Sequence, residues 1–250
     1  IMQEFIKAFD SGSGIRDIPI VRGSVPFLSV QFPGWPAGVG ILLASLVASS
    51  TASRTNNVVT ITATAHGITT GSLYVGCRFY YPGSPSLAAG LYDSILSIPD
   101  ANTITFSAAG ADFAGESINS GNPWTSGTDL ISVTIPGGLL KDRSSVTAKV
   151  YRFGDTTANN KTIAIYYGGS ALTSQNLTTS PFCDLRYSFR CIGTNKQIGQ
   201  ATTPDGNVSS VSPVVLTKDT TVDQTFTIRG FATTAGGFVG LFAASLEIKI

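Results

Sequence analysis

Asn57–Ala65 reads NVVTITATA, and its parity decides the fold. Val59, Ile61, Ala63 and Ala65 fall on every second position with threonines between them. That is the period of a strand with one buried face, since successive strand side chains point to opposite sides. The same beat recurs outward in both directions. TITFS (103–107) and FCDLRYSFRCI (182–192) alternate, and SLEIKI (245–250) sets Leu246, Ile248 and Ile250 against Glu247 and Lys249. Turn sequences rich in Gly, Pro, Asn and Asp separate these runs.

Composition agrees with an all-β reading. Charged residues are 12% of the chain, against roughly 25% in an average soluble domain. Gly, Ser and Thr replace the Lys, Glu and Ala that surface helices need. With 42% hydrophobic residues and a net charge of +1, the chain can bury a core and is not disordered. The same near-zero charge argues against a nucleic-acid protein, and the basic cluster of Arg186, Arg190 and Lys196 reads as a solvated strand face. The longest apolar stretch, VGILLASLVA (39–48), is about half the roughly 20 residues of a membrane-spanning helix. It follows no basic start and does not read as a signal peptide, although a chain opening Ile1-Met2 leaves a clipped leader open.

Three regions follow. Residues 1–54 read as an extended apolar arm, MQEFIKAF and then a run punctuated by Pro19, Pro26, Pro33 and Pro36. The prolines forbid a helix there and confine any strand to a sheet edge. Phe27, Leu28, Phe32, Trp35, Leu42 and Leu43 are its assembly candidates, packing on the chain's own domain, a neighbouring subunit or a larger particle. Residues 55–119 carry four strands and read as a small β-sandwich or barrel, followed by a Gly/Ser linker over 120–127. Residues 128–250 carry eight strands of even spacing, which suggests an eight-stranded jelly-roll-like sandwich.

Catalytic chemistry is hard to assemble from these residues. The single histidine, His66, lies in AHGITTG with no nucleophile elbow beside it, and a lone His without a Cys pair does not make a zinc site. The carboxylates Asp93, Asp100, Asp112, Glu116, Asp142, Asp155, Asp205 and Asp219 flank turn residues, where Asp caps its own backbone. The three cysteines, Cys77, Cys183 and Cys191, cannot all pair, and Cys183 and Cys191 share one strand about 26 Å apart at ~3.3 Å per residue, too far for a disulfide, so these two read as buried thiols. Neither catalytic residue, metal nor cofactor is expected. The aromatics around PGSPSLAAG leave two readings open: core, or a platform for sugar rings, with Tyr81 and Tyr92 as candidate glycan contacts.

Two stretches carry a resemblance. VTITATAHGITTGSLYVGCRFYYPGSPSLAAGLYDSILSIPDANTITFS (59–107) resembles a small β-module of tailed-phage virion proteins. IPGGLLKDRSSVTAKVYRFGDTTANNKTIAIYYGGSAL (135–172) resembles jelly-roll-like domains of phage tail and head-fibre proteins. The resemblance implies a non-enzymatic virion surface protein, a homotrimer made in a bacterial cytoplasm and assembled without membrane or nucleic acid. Two roles fit. One is a capsid decoration (cement) or head-fibre protein held by its arm to partners such as the major capsid protein. The other is a tail fibre or receptor-binding protein that recognises a host cell-surface glycan.

Overall fold

The computed structural model describes residues 5–10, 14–19, 27–31, 41–44, 50–64, 66, 68, 75–92, 95–118, 127–154, 161–177, 182–202, 213–232 and 238–250. Before residue 50 the description is of backbone pairing. The first region forms β1 (Phe5–Asp10), β2 (Gly14–Pro19), β3 (Phe27–Gln31) and β4 (Ile41–Ala44). The middle region forms β5 (Thr51–Thr55), β6 (Val58–Thr62), β7 (Arg78–Tyr81), β8 (Gly90–Tyr92), β9 (Ile95–Asp100), β10 (Thr103–Ser107) and β11 (Phe113–Ser117). The third forms β12 (Thr128–Ile135), β13 (Ser145–Gly154), β14 (Lys161–Tyr167), β15 (Ser170–Leu177) and β16 (Phe182–Cys191). It continues with β17 (Gln197–Thr202), β18 (Val214–Leu216), β19 (Gln224–Ala232) and β20 (Phe238–Lys249). No helix occurs among the described residues, and the protein is all-β.

Three sheets result. Sheet A runs β15-β14-β19-β12-β1-β2, and sheet C runs β11-β5-β6-β10-β9. Sheet B runs β18-β17-β16-β13-β20-β4-β7-β8, with β3 also paired to β20. Sheets A and B face each other across one core. Ile131, Val133, Ile163, Ile165 and Phe226 come from A; Val146, Val150, Leu185, Phe189, Leu241 and Ile248 come from B. Each fully buried aliphatic or Phe side chain contributes roughly 1.5–3 kcal/mol. A second core joins Val59, Ile61, Ile104 and Phe106 of sheet C to Phe79 and Tyr81 of β7.

Sheet B therefore spans both units, and β4 is the join. β4 pairs antiparallel with β20 and parallel with β7. On β7, Phe79 and Tyr81 enter the second core while Tyr80 packs against the first.

Residues 1–54, expected as an extended arm, supply four strands of the folded body. β1 adds to β12, and β2 closes that edge with Pro19 on it, where a missing N–H is tolerated. β3 and β4 follow one another along a single edge of β20. Gln31 lies opposite Ser245 and Ile41 opposite Leu241, so three residues of β20 separate the two pairings. The expectation that proline confines these strands to an edge fails for β4, which sits inside the sheet. Its four residues contain no proline, so every N–H remains available to the ladders. Phe27, Leu28, Leu42 and Leu43 thus lie on paired strands, while Phe32 and Trp35 lie outside the described residues.

The other boundaries shift modestly. The module begins with β5 at Thr51, and β7 and β8 belong to the large sheet. Among its described residues the third region holds nine strands where eight were expected. The additional one, β15, has a polar sequence, SALTSQNL, and is created by the turn before it. Gly168 and Gly169 at φ 54° and 76° form the two-residue turn that folds it onto β14. Residues 119–126, most of the expected linker, lie outside the described residues.

Candidate functional site

His66 is 1% exposed, in the turn that follows β6. Its Nδ1 accepts the Ile68 N–H at 3.1 Å, which leaves Nε2 to donate to the Asp100 carbonyl at 3.1 Å. The Asp100 carboxylate in turn accepts from the Asn102 N–H at 2.7 Å and the Thr103 hydroxyl at 3.2 Å. The histidine thus ties the HG turn to the DAN turn, and burial holds its pKa below the usual value of 6.5. Other carboxylates act alike. Asp112 accepts the Asn56 N–H, Asp142 the Gly193 N–H and Asp219 the Thr221 N–H. Glu116 grips the PGSPSL loop through the hydroxyls of Ser84 and Ser86 and the Ser86 N–H. Those bonds hold its pKa below the usual carboxylate value. Asp93, Asp155 and Asp205 lie outside the described residues. Among the described residues no cluster of three or more His, Cys, Asp or Glu could hold a metal ion.

The aromatic candidates belong to packing. Tyr81 is fully buried, its ring 5.5 Å from that of Phe106, so it offers no face to a sugar; this corrects the expectation of a glycan contact there. The strand parity that places Phe79 inward places Tyr81 inward too. Tyr92 is half-buried over the same cluster, 6.1 Å from Tyr81, and its hydroxyl donates to the Ala88 carbonyl at 2.8 Å. Cys77 and Cys191 are buried and outside any disulfide, and burial pushes the thiol of Cys191 up to about 11.

The open face of sheet B has a different character. Opposed residues on β17, β16, β13 and β20 form rows across it. Ile198, Arg190, Ser145 and Lys249 make one row; Gln200, Ser188, Thr147 and Glu247 make the next. Arg186, Lys149 and Ser245 follow, and Asp184 stands opposite Tyr151. Thr147 and Ser188 share a hydroxyl hydrogen bond at 3.0 Å, and Lys149 Nζ reaches Glu247 at 2.8 Å. Tyr151 is 43% exposed, and beside it lies a groove of about 190 Å³ lined by Lys149, Tyr151, Asp184 and Arg186. Its floor is the strand backbone at Val150 and Leu185, whose side chains turn into the core. The register against β20 slips just past Tyr151, where Leu241 and Ala243 answer consecutive residues of β13. Such a bulge bends the strand and re-aims the side chains next to it. Sequence reasoning passed over Tyr151. The available signal was its parity in SVTAKVYRF, which puts an aromatic on the polar side with Ser145, Thr147 and Lys149.

No sequence family and no curated protein matches the chain. Among solved structures, the CBM2 module of the evolved Dit of Lactobacillus casei BL23 phage J-1 is similar at 10% identity and a TM-score of 0.31. The match covers 48% of this chain and 70% of that one. A lectin from Bauhinia forficata in complex with GalNAc is similar at 8% identity and 0.32, over 89% of this chain and 98% of its own. An engineered GH43 glycoside hydrolase follows at 10% identity and 0.23, over 81% and 64%. Scores of this size establish neither a common topology nor a common ligand.

Proposed function

We propose that this chain is a non-enzymatic structural protein of the surface of a tailed-phage particle, a capsid decoration or head-fibre protein. The observation that supports this is the His66–Asp100 link between the two turns of the middle module. The residues that carry the resemblance to phage β-modules are the ones that hold this module's turns together. With His66, Asp100 and Glu116 so engaged, the groups best suited to acid–base chemistry serve the scaffold.

Partners are further copies of the chain, as a homotrimer, and the major capsid protein. Attachment then uses a face of the folded body, because Phe27, Leu28, Leu42 and Leu43 belong to its sheets. Gold-labelled antibody against the chain, viewed on intact particles, tests the assignment. Label over heads is expected. Label confined to tail tips would replace it with a tail-fibre or receptor-binding role, and particles without label would remove the chain from the virion. Sugar release from host glycan by the purified chain would overturn the non-enzymatic reading.

A further inference from the structure

Among the described residues, five exposed aliphatic side chains fall into two groups on different units of the fold. The first is at the β18 edge of sheet B. Val215 lies opposite Ile198 of β17, and Ile198 opposite Arg190 of β16. Ile192, two residues beyond Arg190 with the buried Cys191 between them, donates its N–H to the Lys196 carbonyl at 2.8 Å. Ile192, Ile198 and Val215 are 51%, 37% and 56% exposed. Arg190 and Lys196 are exposed among them and enter no ion pair with a described residue. The carboxylate at this end, that of Asp142, accepts the Gly193 N–H at 3.0 Å and lies 3.8 Å from Arg143. Lys218 and Asp219, next beyond β18, are of opposite sign. The patch is thus aliphatic and basic.

The second group lies on the middle module. Gly76 donates to the Ile95 carbonyl at 2.8 Å and Ile95 to that of Cys77 at 2.7 Å, which sets these two segments side by side. Val75 and Leu96, one step beyond, are 45% and 43% exposed. Asp100 is exposed at the end of the strand that carries Leu96. The charge on this module has one sign. Residues 55–119 hold no lysine and a single arginine, Arg78, against four carboxylates. Arg78 is buried, and so is Arg54 at the border. Residues 128–250 hold eleven Lys and Arg against eight Asp and Glu, so the two units differ in sign within one chain.

We propose that the β16–β18 patch of one copy docks on the Val75–Leu96 surface of the next, a head-to-tail contact between copies of this chain. The aliphatic side chains of the two patches cover one another, and Arg190 and Lys196 meet an acidic surface. A two-fold contact of the first patch with itself would instead set those cations against their own kind. A contact between two different surfaces repeats, and closes into a ring where the rotation allows. Each patch is small, so a single contact is weak, and closure of the ring supplies the strength by holding the copies together. The proposal rests on the reading of further copies as partners and names the surfaces that meet.

Sedimentation velocity of the full chain at micromolar concentration tests the contact. The parent is expected as a trimer that dissociates more readily as salt is added. Ile198→Asp with Val215→Asp should raise the dissociation constant about tenfold or more and give monomers. Leu96→Lys with Val75→Lys, in a second variant, should do the same. Mixed, the two variants should associate again, because each retains the surface that the other has lost. Val222→Asp, an exposed position outside both patches, should leave the trimer unchanged and serves as the control. Circular dichroism verifies that each variant is folded, and Arg190→Glu with Lys196→Glu decides the matter should the Ile198 variant not fold. A trimer retained in a folded patch variant, or two variants that stay monomeric when mixed, would overturn the contact and leave the homotrimer standing. A monomeric parent would overturn both. The gold-label experiment reports on the particle and is independent of either result.

Discussion

Arg54 is a charged side chain used as a staple. It is 5% exposed, its Nε and Nη2 donate to the Ala111 carbonyl and its Nη1 to that of Ala109 at 3.1 Å. The guanidinium also lies 5.1 Å from the centre of the Phe113 ring. Arg54→Met keeps the stem and loses those bonds, and should cost about 1.5–3 kcal/mol in urea unfolding, the range for hydrogen bonds to charged groups. His66 gives a pH dependence. Its folded pKa is depressed by burial, so the unfolded chain takes up a proton that the folded chain resists. The stability it contributes is complete above its unfolded value of 6.5 and falls away as pH drops through the folded value. Because it is the only histidine, the urea midpoint should decline between about pH 7 and 5, and the decline should shrink in His66→Gln. Cys191, 1% exposed, should resist iodoacetamide in the native state and react on addition of urea.

At the scale of elements, β20 governs the sandwich, with β13 along one side and β3 then β4 along the other. Removing residues 1–44 should therefore yield an unfolded or aggregated chain by circular dichroism and dye binding, because it bares the edges of β12, β20 and β7. Strand parity made β6, β10, β16 and β20 legible from their residues alone. β4 was not, since ILLA within a continuous apolar run has no alternation to read. Nor was β15, an edge strand with Leu172 buried among polar neighbours, which exists because a two-glycine turn presents it to β14. Asn56 and Asn57, at φ 52° and 64°, make the tight connection between β5 and β6, a hairpin that the expected boundary after residue 54 cut through.

At the scale of the whole molecule, the described residues form two hydrophobic cores and one sheet that borders both. Because β4 and β7 are paired and Tyr80 leans on the sandwich core, unfolding should be cooperative across the two cores. Calorimetry should give a single transition, and two separate transitions would show that the cores melt alone. This union was hidden in the sequence, where a region boundary falls between β4 and the strand it joins. The groove at Tyr151 was hidden for a related reason: which aromatic faces solvent depends on which side of the strand the other sheet covers. The register of β20 also sets an order of events during synthesis. β3, β4 and β13 all leave the ribosome before the strand that binds them, so their ladders cannot form on a chain stalled short of residue 238. The sandwich closes only after translation has passed that point, and until then its longest edges need a chaperone or speed to keep them from pairing with another copy.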